Sequence, residues 1–492
     1  MKGILGDALR LYGASVYWNI RKTLFRLRRT RGRCPCQHHS DSGVAWETAC
    51  AAITHWDRPE RFRRVCPLLR QRPDGVWRCS VDAADVRPFW GRATALFGGT
   101  ALTVLLVGVL GAFIAMRTIG YEVSLRQIAW PPAWSELARV RAAHFIEQSE
   151  LAEQEGRIKE SLLALYNAYE LDPYNYPVGL RLARLWQVNQ PAISDRVYRR
   201  LLNDHPEQRA ETARLWMRAM LARGDMDGVA RLAAERLLRD TQTIAAWQHA
   251  LVFASTRLQN HDLLDALLTE PRLPAEAAVT LRLVADTVGL PPAEERGRLI
   301  QAVLEGRTDA YGNFYIGRRL LRLGFPEETL ALTLRENVAL NPRERVLLRL
   351  DALAALGRDA DRARLFDQFL QSRLSDTGVT LLCTHLIRHP DAALADRLFT
   401  RAASGEADVA GLRYDTRLAL FCLAGVLADE TRLDETAAKL RALGGGEFRT
   451  LGVVRTFFLR RTQGGQIEAV LPILQPLPLE VTYALLETNT AP

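Results

Sequence analysis

The sequence predicts an all-α protein in which a small cysteine-rich N-terminal module and one transmembrane helix precede a stack of about nine to ten helical hairpins. Three observations predict this class. Helix-breaking residues recur in two interleaved series with a shared period of about 34 residues. A stretch of 24 residues, 93–116, contains no charged side chain, and five of the seven cysteines lie between positions 34 and 79.

The charge of the chain changes at the uncharged stretch. Residues 1–92 contain 18 Lys and Arg against 8 Asp and Glu, whereas residues 117–492 contain 47 against 48. A basic protein often binds nucleic acid, but here the excess positive charge precedes an apolar segment and the long C-terminal part is neutral. We therefore expect the basic residues to lie at a membrane surface, and we expect no nucleic-acid partner.

Residues 92–117 are predicted to form the transmembrane helix. Twenty-four residues reach roughly 36 Å as a helix, which spans a hydrocarbon core of about 30 Å. The 92 preceding residues exclude a secretory signal, and the Lys/Arg excess favours a cytoplasmic N-terminus and a solenoid outside the bacterial inner membrane. The small-residue pairs Gly108/Ala112 and Gly111/Ala115 are compatible with a homodimer through this helix.

Residues 1–33 have the pattern of a basic amphipathic helix. Apolar residues recur at three- and four-residue steps and so form one helical face: Leu5, Leu9, Tyr12, Val16, Ile20, Leu24 and Leu27. Such a helix binds to the surface of an anionic lipid bilayer. A helix packed on the cysteine-rich module explains the pattern equally well.

Residues 34–91 form a Cys/His-rich module with a candidate zinc site. The candidate ligands are Cys34, Cys36, Cys50, Cys66, Cys79 and His38. Thiols stay unpaired in a reducing cytoplasm, and a structural zinc ion would stabilise so short a segment. Reduced thiols in a small fold are the alternative, because paired CxxC knuckles are missing. Disulfides are the better interpretation if this module lies outside the cell.

The repeat is clearest in "QEGRIKESLLALYNAYELDPYNY", residues 154–176. A turn glycine, Gly156, precedes a helix that ends at Asp172-Pro173 and carries Leu162, Leu165, Ala168 and Leu171 on one face. Equivalent turns recur near Gln190, Gly224, Leu258, Gly289, Gly324, Gly357 and Pro390. A single hairpin cannot bury its apolar face, so the hairpins must stack.

Residues 142–175 resemble the tetratricopeptide repeat family, with Gly156, Glu160, Ala168, Leu171, Asp172, Pro173 and Asn175 at the family's usual positions. The resemblance covers 137–475, between a juxtamembrane linker, 118–136, and a C-terminal cap, 476–492. It implies an α-solenoid whose first helices line a concave groove for protein partners. Arg181, Arg184 and Gln187 occupy first-helix positions of this groove and are the candidate partner-binding residues, although they lack the Lys/Asn pattern of the family's carboxylate clamp. A solvated helix face is the alternative explanation of the two arginines.

The sequence contains no nucleotide-binding loop and no catalytic motif. His385 and His389 have metal-ligand spacing on a helix, but we interpret them as ordinary helix-face histidines, and Cys383 and Cys422 as buried core thiols. We therefore expect a membrane-anchored scaffold rather than an enzyme, which binds a protein partner in an envelope assembly or export complex. A transmembrane signalling protein with a metal- or redox-responsive cysteine module is the alternative.

Overall fold

The computed structural model describes residues 98–240, 242–372, 374–404, 411–444, 449–460 and 465–488, with short stretches between positions 13 and 79. The chain divides into two compact units, residues 1–148 and 149–492. The described residues are mostly helical, as the predicted all-α class requires.

The first unit contains two short β-hairpins that the all-α class does not include. Strand β1 (Gln37–His39) pairs antiparallel with β2 (Trp46–Thr48), and β3 (Leu69–Gln71) pairs with β4 (Trp77–Cys79). The second hairpin turns at Pro73-Asp74-Gly75, where Gly75 has a φ of 78°. This is a turn sequence, because proline fixes φ and glycine tolerates a positive one.

Helix α1 (Gly99–Ile119) lies within the predicted transmembrane segment. None of its 21 residues is buried, and it is the one helix among the described residues that is long and apolar enough to cross a membrane. The helix ends at Gly120, which adopts a left-handed φ of 104°.

The predicted linker is folded. It contains helix α2 (Leu125–Ala129) and a 3₁₀ turn (Pro131–Ala133), followed by helix α3 (Trp134–Gln154). Tyr121 packs edge-on against His144 with ring centroids 4.9 Å apart. The indole Nε1 of Trp134 donates a 3.2 Å hydrogen bond to the carbonyl of Ile128. These contacts give the segment after α1 a defined conformation.

The second unit consists of helices that pair in sequence order. They are α4 (Ile158–Leu171), α5 (Tyr176–Asn189), α6 (Pro191–Asp204), α7 (Arg209–Ala222), α8 (Met226–Leu237), α9 (Ile244–Leu258), α10 (Asp262–Leu268), α11 (Ala275–Thr287), α12 (Pro292–Glu305), α13 (Ala310–Arg322), α14 (Pro326–Leu334), α15 (Pro342–Ala355), α16 (Asp359–Gln371), α17 (Asp376–Arg388), α18 (Ala392–Ala403), α19 (Tyr414–Val426), α20 (Glu430–Gly444) and α21 (Arg449–Leu459). Predicted turn glycines have positive φ, at Gly156, Gly224, Gly289, Gly324 and Gly357, which confirms these turns.

The odd-numbered helices from α5 to α19 are the first helices of successive hairpins and form an inner layer. Within this layer α13 contacts α15, α15 contacts α17, and α17 contacts α19. Fully buried residues such as Leu182, Leu251, Leu348 and Leu382 come from this layer, so the hairpins stack around a continuous apolar core.

A non-repeating C-terminal segment, residues 465–488, follows the solenoid. It comprises two 3₁₀ turns (Ile467–Ala469 and Leu471–Ile473) and helix α22 (Leu479–Thr488). The second 3₁₀ turn contacts α5 and α7, and α22 contacts α17. The segment therefore runs along the inner layer and begins about ten residues before the predicted cap.

Candidate functional site

The C-terminal segment is hydrogen-bonded to the inner layer at several points. Gln187 Nε2 donates to the carbonyl of Pro472 at 3.1 Å, and Gln475 Nε2 donates to the carbonyl of Arg184 at 2.7 Å. Further along, Arg257 Nη2 donates to Glu468 Oε1 at 3.1 Å. The segment thus lies in the groove that the family resemblance assigns to a partner.

The C-terminal segment also belongs to the apolar core. Its hydrophobic residues that are at most 4% exposed are Ile467, Val470, Leu471, Leu474, Leu477, Val481, Tyr483, Ala484, Leu485 and Leu486. Burial of one large apolar side chain contributes roughly 1.5–3 kcal/mol. Displacement of the whole segment would therefore cost well over about 10 kcal/mol, more than a typical micromolar partner provides.

Glu487 attaches the end of the C-terminal segment to three arginines, which we call the arginine cluster. Its carboxylate accepts hydrogen bonds from Arg388 Nε at 2.9 Å, Arg318 Nη2 at 2.7 Å and Arg322 Nη2 at 2.6 Å. Burial alone would raise the pKa of Glu487, but the charges of the arginine cluster outweigh it and hold the pKa well below its usual range.

Asp351 lies behind the arginine cluster and is fully buried. Its Oδ2 accepts a 2.9 Å hydrogen bond from Arg318 Nη1, and its Oδ1 lies 2.6 Å from His385 Nδ1. Burial opposes the ionisation of Asp351, but the hydrogen bond from His385 and the charges of His385, Arg388 and Arg318 lower the pKa to about 2.

Asp351, His385 and His389 are close enough to hold a metal ion, since their ligand atoms lie within 4.8 Å of one another. His385 Nε2 is buried and has no hydrogen-bond partner among the described residues, as a ligand atom requires. The charges of the surrounding arginines argue against a metal ion at this position. Before either histidine is counted, the three guanidinium groups of the arginine cluster exceed the carboxylates of Asp351 and Glu487 by one positive charge. A divalent cation would add two more positive charges in a buried place. The group therefore fits a hydrogen-bonded ion-pair network better than a metal centre.

The repeat period contains a signal for this network that the sequence analysis missed. Arg318, Asp351 and His385 stand 33 and 34 residues apart, so they occupy equivalent positions on the stacked helices α13, α15 and α17. Complementary charges at one repeat spacing predict lateral ion pairs between neighbouring first helices. Glu487 could not be found in this way, because it lies outside the repeat.

The three predicted partner-binding residues have different surroundings. Arg181 forms ion pairs with Glu150 and Glu153. Arg184 faces a cavity of about 410 Å³ that the C-terminal segment also lines. Gln187 is 5% exposed and bonded to Pro472. Arg181 is half-buried and Arg184 is exposed, whereas the amide of Gln187 is already bound within the chain. A partner-binding role of these residues stays a prediction.

Four candidate zinc ligands, Cys34, Cys36, Cys50 and Cys66, lie outside the described residues. His38 and Cys79 fall on β1 and β4, but the positions of their side chains are outside the description as well. The zinc site therefore stays a prediction. The interpretation of Cys383 and Cys422 as core thiols is confirmed, because both are fully buried, and burial raises the pKa of both thiols.

An exposed aromatic groove lies between α4, α5 and α6. Its cavity of about 420 Å³ is lined by apolar residues that include Leu163, Tyr166 and Trp186, with Arg196 and Arg200 beside them. Leu163 is 62% exposed and Tyr166 is 37% exposed. An exposed apolar patch with charged neighbours is typical of a protein-binding surface.

No family model matches the chain, and no curated protein matches it significantly.

Proposed function

We propose that the chain is a single-pass, membrane-anchored scaffold whose helical-repeat solenoid binds a protein partner in a bacterial envelope assembly or export complex. The resemblance to tetratricopeptide repeats supports a partner-binding solenoid. The exposed, apolar helix α1, whose one charged residue is Arg117 near its C-terminal end, supports a membrane anchor. The Lys/Arg excess before α1 favours a cytoplasmic N-terminus and an extracytoplasmic solenoid.

The aromatic groove between α4 and α6 is the surface that we assign to this partner. The inner layer is covered by the chain's own C-terminal segment, so a partner there would have to displace buried apolar residues. The aromatic groove needs no such displacement, because Leu163 and Tyr166 are already exposed. We expect an amphipathic segment of the partner to insert apolar side chains between Tyr166 and Trp186.

Photo-crosslinking in cells of the native host tests this assignment. A photoreactive amino acid replaces Leu163 in one variant and Leu304, which is 64% exposed on α12, in the matched control. We expect one discrete heavier adduct from position 163 and none from position 304. The adduct should disappear when Tyr166→Ser is added. Equal adducts from both positions, or an adduct only with a second copy of the chain, would contradict the assignment.

We further propose structural zinc in the cysteine-rich module. The small hairpins that carry His38 and Cys79 contain only three residues per strand, and such short strands need an additional constraint to be stable. Metal analysis of the purified full chain should find one zinc ion per chain, and Cys50→Ser should lower it. The signalling alternative would be favoured if the zinc content varied with the growth medium and this variation changed the activity of a partner protein.

A further inference from the structure

A cavity of about 500 Å³ lies in the second unit beside the arginine cluster. Helices α9, α11, α13 and α17 and the C-terminal segment contribute to its walls. One part of the wall is apolar and consists of Val252, Phe253, Val284, Val288 and Phe314. The positively charged part of the wall consists of Arg318, Arg322 and Arg388. The cavity therefore has an apolar body and a cationic end, a composition typical of ligand sites.

The cationic end has one uncompensated charge. Arg319, a further lining residue, is neutralised by Glu295 through two hydrogen bonds of 2.5 and 2.9 Å. Among the described residues, the three guanidinium groups of the arginine cluster pair with two carboxylates, those of Glu487 and Asp351. An anion in the cavity would balance the remaining positive charge, which burial makes costly.

Two of these arginines have N–H groups that can donate hydrogen bonds to such an anion. The side chain of Arg388 is 8% exposed. Its Nη1 lies 3.5 Å from Oδ2 of Asp351, an ion-pair contact, but makes no hydrogen bond among the described residues. Arg322 is 42% exposed, and Nη2 is the nitrogen that it uses toward Glu487. Guanidinium groups present donors in a planar fork that suits a carboxylate.

The size of the cavity suits a small molecule, because a volume of about 500 Å³ falls within the range of about 300–1,000 Å³ that is typical of small-molecule sites. His249 in the wall adds no charge near neutral pH, because burial lowers its pKa to about 4. Its ring stacks on Tyr483 at 4.2 Å and so extends the flat, aromatic part of the wall.

We propose that this cavity binds a small organic anion, with its carboxylate directed at Arg322 and Arg388 and its apolar body against Phe253, Val288 and Phe314. This site is separate from the proposed partner groove, and it does not depend on membrane anchoring. It gives the solenoid a small-molecule ligand in addition to a protein partner.

Isothermal titration of the full chain in detergent micelles with 2-naphthoate tests the proposal. The uncharged 2-naphthamide is the matched ligand, and a titration into micelles alone provides the baseline. We expect saturable binding of one naphthoate per chain, at least tenfold tighter than that of the amide. Arg322→Gln should weaken naphthoate binding at least tenfold, whereas Arg298→Gln, an exposed arginine on α12 outside the cavity, should not change it.

A second variant tests the site without altering charge. Val288 is 46% exposed at the edge of the cavity, so Val288→Trp should fill the cavity and leave the fold intact. We expect it to abolish naphthoate binding, with the midpoint of thermal unfolding unchanged. No saturable binding to the folded wild type, equal affinity for acid and amide, or unchanged binding in both variants would overturn the proposal.

Discussion

The Oε2 atom of Glu487 accepts a 2.9 Å hydrogen bond from Nε of Arg388, which joins the last helix of the described chain to the inner layer of the solenoid. The two residues are 99 positions apart in sequence. Arg388 is 8% exposed and Glu487 is 14% exposed. Because both charges are buried, removal of either one leaves the rest of the ion-pair network with an unbalanced charge. This contact holds the end of the C-terminal segment against helix α17.

Glu487→Gln should destabilise the second unit. The substitution leaves Arg322 without a carboxylate partner among the described residues and leaves Arg318 and Arg388 with Asp351 alone. Loss of one partner of a buried ion pair costs about 3–5 kcal/mol. Urea unfolding of the full chain in detergent measures the change. Glu480→Gln, an exposed residue on the same helix, is the control and should change the free energy of unfolding by less than about 0.5 kcal/mol. Equal stabilities of the two variants would contradict the ion-pair interpretation.

Two glycine-to-alanine substitutions should have opposite effects. A Cβ at Gly425 on α19 would lie 2.4 Å from ring atoms of Phe458, whereas a Cβ at Gly297 on α12 would meet nothing within 4 Å. Gly425→Ala should therefore destabilise the protein by about 1–3 kcal/mol through overpacking. Gly297→Ala should stabilise it by about 0.5–1 kcal/mol, because alanine favours a helix interior. Thermal unfolding of both variants checks the contrast, and a stabilising Gly425→Ala would show that α19 and α21 do not pack closely.

Glu344 should make the protein less stable at alkaline pH. Burial raises the pKa of Glu344 to about 7 from its ordinary 4.5. The folded chain therefore keeps this proton between pH 4.5 and 7, where the unfolded chain loses it, and the free energy of unfolding falls as the pH rises through this range. Glu344→Gln should remove that fall and raise the stability at pH 8 by roughly 1–3 kcal/mol. Urea unfolding at pH 5 and pH 8 measures the free energy of unfolding of both proteins. An identical decrease between the two pH values in the variant and the wild type would contradict the raised pKa of Glu344.

His249 should have the opposite dependence at acidic pH. Burial lowers the pKa of His249 from 6.5 to about 4, so the unfolded chain binds this proton first as the pH falls. Its contribution to stability is present above pH 6.5 and is lost between pH 6.5 and 4. His249→Phe keeps a flat ring against Tyr483 and removes the titration, which should make the variant less sensitive to acid by up to about 3 kcal/mol. Urea unfolding of the wild type and the variant at pH 7 and pH 4.5 measures the change. An equal loss of unfolding free energy in both proteins would exclude a buried, neutral His249.

Features that depend on the repeat period or on local composition could be predicted from the sequence, whereas the path of the non-repeating C-terminal segment could not. The turn glycines, such as Gly224 and Gly357, follow from the repeat because each connects two helices of one hairpin. The uncharged segment of α1 follows from composition alone. The path of the C-terminal segment depends on contacts such as Gln187 with Pro472, which are 285 residues apart. No local pattern specifies such a contact, so the groove was expected to be open to a partner.

The candidate site was predictable in part. The spacing of His385 and His389 was recognised, but their neighbour Asp351 belongs to the preceding repeat and was overlooked. The ion pair of Arg318 with Asp351 depends on lateral stacking of helices, which the sequence indicates only when equivalent repeat positions are compared. The ion pair of Arg318 with Glu487 has no such signal, because Glu487 lies outside the repeat. The β-hairpin at Gly75 was missed for a different reason, since its strands are too short to show an alternating pattern.

Cysteine labelling in intact cells tests the membrane-anchored scaffold most directly. A cysteine-free chain receives one new cysteine, either Ser42→Cys in the N-terminal module or Ser404→Cys, which is exposed at the end of α18. The cells are treated with a membrane-impermeant maleimide, and permeabilised cells serve as the control in which both positions react. We predict labelling at position 404 and none at position 42 in intact cells. Labelling at position 42 alone would reverse the topology, and equal reactivity of both positions in intact cells would contradict a membrane-crossing α1.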